Sequence, residues 1–141
     1  EVVLRSLFDA LYNNNVMLEG TILKASMVVP GTKSGEKVSV EDVAENTLMC
    51  LKTAVPAILP GIVFLSGGQS DEDATAHLDA MNRMGPHPWP LSFSYGRAMQ
   101  SAALKIWGQD IVANIAKAQQ MVFERARDNG LAALGQWKKA A

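Results

Sequence analysis

Gly61-Ile62-Val63-Phe64-Leu65-Ser66-Gly67-Gly68-Gln69-Ser70 is the stretch on which the reading of this chain turns. An apolar run of strand length passes into a Gly-Gly turn, and Ser70 then caps a helix extending to about Met84. Upstream, Val16-Met17-Leu18-Glu19-Gly20-Thr21-Ile22-Leu23-Lys24 is a second mostly apolar run, which predicts a strand covered on both faces, as in parallel sheets. Between the two lie the polar loop Pro30–Lys37 and a helix capped by Ser39, with Asp42 three residues on. Val40, Val43, Ala44, Thr47, Leu48 and Leu51 form that helix's buried stripe, and it ends before Pro56.

Downstream, the stiff connector Pro86-His87-Pro88-Trp89-Pro90 leads to a third strand, Leu91-Ser92-Phe93-Ser94. A short helix follows from about Arg97 to Trp107, and a longer one over residues 110–128, with Gly130 suited to its C-terminal turn. At the other end, Val3, Leu4, Leu7, Phe8 and Leu11 share a helical stripe over residues 1–12, and Asn13-Asn14-Asn15 breaks it. The stripe begins with no capping residue before it, which reads as a truncated start with sequence missing upstream.

Strands alternating with helices predict an α/β fold with a parallel sheet. Three strands do not close a barrel, and a complete eight-stranded α/β barrel takes about 250 residues. The chain therefore reads as a single partial domain over residues 1–141, carrying roughly the last three strands of a TIM (β/α)8 barrel.

Composition narrows the partners. The chain is 48% hydrophobic and 19% charged with a formal net charge of -1, so no basic field invites nucleic acid. No apolar run approaches the roughly 18 residues that span a bilayer. Cys50 is the single cysteine, read as a small buried hydrophobe, so neither an intrachain disulfide nor a cysteine metal site can form. His77 and His87 are too far apart for a local metal motif, and His77 is read as a helix surface residue. Trp89 and the methionines read as packing, and no metal is expected.

Three places could carry chemistry. Lys24 closes an apolar strand, where alternation sets it on one face with Ile22, Gly20 and Leu18, and Glu19 on the other. A lysine in low dielectric gives up part of its preference for the ammonium form, and the free amine can attack a carbonyl to form an iminium; a strand-end lysine that snorkels to solvent is the plainer alternative. Ser66-Gly67-Gly68 brings backbone N–H groups and a helix N-terminus together, suited to an anion, though Gly-Gly is often only a tight turn. Ser94-Tyr95-Gly96-Arg97 repeats the construction, with a guanidinium that can bind phosphate bidentately or sit on a helix surface. Adjacent parallel strands would bring both loops to the rim where Lys24 lies, a place where barrels often hold phosphate. A carbonyl-attacking amine beside a phosphate cradle points to a phosphorylated aldehyde or ketone.

Leu18-Glu19-Gly20-Thr21-Ile22-Leu23-Lys24 resembles the Schiff-base lysine strand of class I fructose-bisphosphate aldolases. Gly61–Ser70 is similar to that family's next strand and phosphate loop, and Leu91-Ser92-Phe93-Ser94-Tyr95-Gly96-Arg97-Ala98 to its final strand and second phosphate loop. The resemblance implies that Lys24 forms an iminium with the ketose carbonyl. It implies that N–H groups of the Ser66-Gly67-Gly68 loop, Gly96 and the Arg97 side chain hold the dihydroxyacetone-phosphate end, with Ser94 lining the pocket. The implied reaction is reversible cleavage of fructose 1,6-bisphosphate into dihydroxyacetone phosphate and glyceraldehyde 3-phosphate, without cofactor or metal, in a cytoplasmic homotetramer. Two departures stand out. Many members read Pro-Asn-Met-Val after the lysine where this chain has Ala25-Ser26-Met27-Val28, and the chain stops at Lys138-Lys139-Ala140-Ala141 without a longer tail ending in tyrosine. The acids and second lysine that move protons in the family belong to earlier strands, so this piece alone is expected to be inactive. Another Schiff-base aldolase, or a phosphosugar-binding half barrel without catalysis, are the competing readings.

Overall fold

Three short strands, β1 (Leu23–Ala25), β2 (Ile62–Phe64) and β3 (Leu91–Phe93), form one parallel sheet in the order β1-β2-β3 in the computed structural model, which describes residues 1–139. The helices are α1 (Val2–Asn13), α2 (Val40–Ala54), α3 (Asp71–Arg83), α4 (Arg97–Trp107) and α5 (Ile115–Ala132). Of the terminal run Lys138–Ala141, Ala140 and Ala141 lie outside the described residues. The α/β alternation and the parallel three-stranded sheet agree with the expected order and fit part of a TIM barrel.

Register fixes two unlike faces. Leu23, Ile62 and Leu91 align, as do Ala25, Phe64 and Phe93; these look toward the helices, and Ile62 and Phe64 are fully buried there. Burying such side chains stabilises by about 1.5–3 kcal/mol each. Lys24, Val63 and Ser92 align on the opposite face, which is the less covered of the two among the described residues. Lys24 is exposed there, and Ile22, which starts the same face, is 62% exposed. The expectation of strands covered on both sides therefore holds on one side only.

The core behind the sheet comes from the predicted stripe of α2 and from Leu78 and Met81 of α3. Trp89 closes its lower edge, donating its indole N–H to Pro56 O at 2.9 Å, so the packing role expected of it stands. Asp79, buried in α3, pairs with Arg83 Nε at 2.8 Å and accepts from Trp137 N–H, tying the C-terminal segment down. Of the α1 stripe only Phe8 is buried; Val3 and Leu7 are exposed.

Three boundaries differ from expectation, each for a local reason. Leu18–Gly20 is a 3₁₀ turn, because Gly20 N–H and Thr21 N–H bond to Met17 O and Leu18 O, occupying groups a ladder would need. Alternation therefore does not reach back from Lys24: Leu18 is buried, Gly20 does not share its face, and Glu19 is simply exposed. The last helix begins at Ile115, since the Asp110 carboxylate accepts from Val112 and Ala113 N–H and holds residues 110–114 in turns. Gly130 lies inside α5, and the left-handed residue after it is Gly135, at φ +65 against Arg83. Cys50 is half-buried.

Ser39 and Asp42 form a full capping box: Asp42 N–H donates to Ser39 Oγ, and the Ser39 hydroxyl and N–H both donate to Asp42 Oδ2. Those two donors, the hydroxyl first, hold the Asp42 carboxyl below its ordinary 3.8. Ser39→Ala is expected to cost about 1 kcal/mol in urea denaturation. The folded pKa of Asp42 is the lowered one, so its contribution is present above about pH 4 and is lost as pH falls through the folded value. The gap between wild type and Asp42→Asn should accordingly be open at neutral pH and close in acid.

Candidate active site

Ladder bonds define the rim. Leu65 N–H donates to Ala25 O and Ser94 N–H to Phe64 O, both at 2.9 Å, so all three strands leave the sheet at the same edge. Continuing the register puts Ser26, Leu65 and Ser94 in one row, one step beyond Lys24 on its own open face. Ser94 lies two strand spacings across from Lys24's strand, roughly 10 Å.

Lys24 and Ser94 are exposed on this face, and among the described residues Lys24 has no ion-pair partner. The apolar enclosure expected around the lysine is not supplied among the described residues, where Lys24 stands exposed.

The first loop is well held. Gln69 N–H closes a turn onto Ser66 O at 3.1 Å, and Gly68 sits at φ +78, a conformation that excludes most other residues. Ser66 is buried, while Gly68 is exposed. Ser70 accepts from Asp73 N–H as the cap of α3. In the second loop Gly96 is the N-cap of α4 and provides no side-chain cap; Met99 N–H closes onto Gly96 O at 3.1 Å, and Arg97 and Ala98 N–H have no partner among the described residues. A Cβ at Gly96 would meet nothing within 4 Å, so the fold does not require glycine there. Arg97, first residue of α4, is exposed with no ion pair among the described residues.

Behind the loops lie groups the sequence reading did not assign. Tyr95, between Ser94 and Gly96, is buried, packs its ring tilted against Phe93 with centroids 5.5 Å apart and donates its hydroxyl to Ala74 O in α3 at 2.8 Å. Burial pushes its phenol well above the usual tyrosine range, against a smaller downward pull from Arg125, so the hydroxyl keeps its proton. Arg125 of α5, 9% exposed, donates from Nε to Ala98 O and from Nη2 to Asp71 O and Thr75 Oγ1. Thr75 and Asn129 complete the network, with Oγ1 to Oδ1 at 2.8 Å. Tyr95 stood inside a motif already singled out; Arg125 gave no local signal, since nothing along its helix distinguishes a buried arginine from a solvated one.

His77 corrects an expectation. It is 8% exposed rather than on the surface, because its ring turns back onto the Gly67–Gln69 turn, Nδ1 lying 2.7 Å from Gln69 Oε1. With the amide oxygen accepting, Nδ1 carries the proton. A cavity of about 660 Å³ borders Gly68, Gln69 and His77 on the side facing loop 29–38. Among the described residues no group of three or more His, Cys, Asp or Glu side chains is placed to hold a metal ion, and no helix is long and apolar enough to cross a membrane. Burial, partly opposed by Asp73 and Glu41, lowers the His77 pKa from its ordinary 6.5. Below about 6.5 the unfolded chain takes the proton first, so the stability from neutral His77 is full above that pH and falls away below it. NMR titration should place the His77 midpoint below 6.5, and a midpoint at or above that value would contradict the buried setting.

Comparison with known proteins gives the family. The glycolytic class-I fructose-bisphosphate aldolase family matches residues 1–141. A probable fructose-bisphosphate aldolase class 1 of Xylella fastidiosa (strain 9a5c) is 71% identical over 138 residues, which are 98% of this chain and 41% of the relative. Fructose-bisphosphate aldolase 1 of Toxoplasma gondii is 52% identical over 97% of this chain and 38% of its own length. A Plasmodium falciparum fructose-bisphosphate aldolase, crystallised with TRAP and a small molecule inhibitor, superposes with a TM-score of 0.93 at 46% identity, covering 98% of this chain and 40% of that one. The chain thus spans about two fifths of the length of these relatives. On the match across its whole length and the 71% identity, this chain belongs to the class-I fructose-bisphosphate aldolase family.

Proposed function

We propose that these residues are the C-terminal part of a (β/α)8 barrel that reversibly cleaves fructose 1,6-bisphosphate into dihydroxyacetone phosphate and glyceraldehyde 3-phosphate through a Schiff base on Lys24. The observation that carries the reading is the common rim. A lysine with no ion pair among the described residues stands on the open sheet face beside two loops, Ser66-Gly67-Gly68 and Ser94–Arg97, each running into a helix N-terminus. Both loops present N–H groups and positive dipole ends, and Arg97 adds an exposed guanidinium, a combination suited to one phosphate.

In this mechanism the Lys24 amine attacks the ketose C2 carbonyl, water leaves, and an iminium forms. When the C3–C4 bond breaks, its electron pair flows into the iminium as an enamine and the aldehyde half departs. Ser66, Gly67, Gly68, Gly96 and Arg97 hold the 1-phosphate so that C2 stays over the lysine, and Ser94 lines the space between. Such positioning replaces much of the entropic cost of bringing the carbonyl to the amine. Acid and base groups for the proton transfers come from the remaining strands, which also enclose Lys24. The segment alone has no cleavage activity, and the whole protein works without metal as a cytoplasmic tetramer.

Borohydride reduction with dihydroxyacetone phosphate, followed by peptide mapping of the full-length protein, tests the reading. A stable adduct on Lys24 is expected, with none in Lys24→Met and a loss of cleavage on the order of 10⁴-fold or more. Arg97→Ala should keep the adduct but raise KM about 10–100-fold, as expected for losing a charge-assisted phosphate contact. No adduct on folded wild-type protein would discard the Schiff-base mechanism.

A further inference from the structure

We infer that Arg125 is a positioning residue that, with Tyr95, sets the spacing between the two phosphate loops; this rests on the phosphate-site reading above. Arg125 is buried, yet among the described residues no carboxylate lies within ion-pair distance of it. A buried guanidinium without a counter-charge is a costly way to fill space, and an apolar side chain of similar size would pack with less desolvation.

Its partners indicate what it does instead. Nη2 donates to Asp71 O, the residue after the cap of α3, at 2.6 Å, and to Thr75 Oγ1 one turn on at 2.7 Å. Nε donates to Ala98 O, two residues beyond Gly96, at 3.0 Å. One planar group therefore bridges the first turns of the two helices that carry the candidate loops, and its rigid fork fixes their separation. Asn129 holds the brace from below, donating to Arg125 O at 2.9 Å and accepting from Thr75. Tyr95 makes the same bridge from within the second loop, through its hydroxyl to Ala74 O. A phosphate gripped from both sides requires both loops at one distance, and these bonds set it.

The test compares reductive trapping of dihydroxyacetone phosphate and of unphosphorylated dihydroxyacetone on Lys24 in full-length wild type, Arg125→Met, Arg125→Lys and Tyr95→Phe. Misplaced loops should raise the half-saturating concentration of the phosphorylated ketone about 10-fold or more in Arg125→Met while leaving that of dihydroxyacetone within about twofold. Arg125→Lys should restore part of the preference, since one ammonium keeps the charge but not the fork, and Tyr95→Phe should lose severalfold. Equal losses for both ketones, or none, would overturn the inference and leave Arg125 as helix packing. If circular dichroism shows Arg125→Met unfolded, an unchanged preference in both Arg125→Lys and Tyr95→Phe overturns it as well. A wild type with no preference for the phosphorylated ketone removes the phosphate site itself, and the brace with it.

Discussion

Parallel pairing of β1, β2 and β3 is the constraint from which the remaining architecture follows. Its ladder leaves each strand no choice of direction, so Ala25, Phe64 and Phe93 all hand the chain over at one edge. Helices must then carry the chain back along the sheet, and they cover one face. That face became the core; the other was left with Lys24, Val63, Ser92 and Ser94. A two-sided sheet with a one-sided cover explains at once why Ile62 and Phe64 are fully buried and why Ile22 is not.

The same constraint concentrates helix N-termini at the rim. α3 and α4 start within a few residues of the ends of β2 and β3, so their N-termini lie toward the edge from which Ser66 and Ser94 emerge. Two positive helix ends side by side repel one another, and an anion between them relieves that repulsion. Bonds from Arg125 and Tyr95 hold the pair in place from behind. Neutral, buried His77 supports the first loop through Gln69. The rim is thus braced by groups deeper in the chain that do not reach the open face.

Much of this was legible in sequence. The Ser39 and Ser70 caps, the α2 stripe, the stop before Pro56 and the bounds of α4 all follow from local chemistry, and each stands in the structure. Where local reading failed, competing local bonds had won. Thr21 and Gly20 close onto Met17 and Leu18 and turn an apolar run into a 3₁₀ turn, and the Asp110 carboxylate captures two N–H groups and delays α5. Both segments were visible, but which of two available partners a backbone N–H takes depends on the direction in which the chain must next travel.

The sequence by itself determined the order of elements, the parallel sheet and the loops with a lysine, glycines and an arginine at strand ends, because spacing, capping and glycine placement act over a few residues. Only the tertiary structure decided which sheet face is open, that His77 is buried and that Arg125 reaches across to Asp71 and Ala98. Those outcomes depend on groups more than 25 positions apart, or on layers of packing, meeting in space. No periodicity along the chain encodes that meeting: a buried arginine and a solvated one occupy the same kind of helical position until a second helix is laid against them.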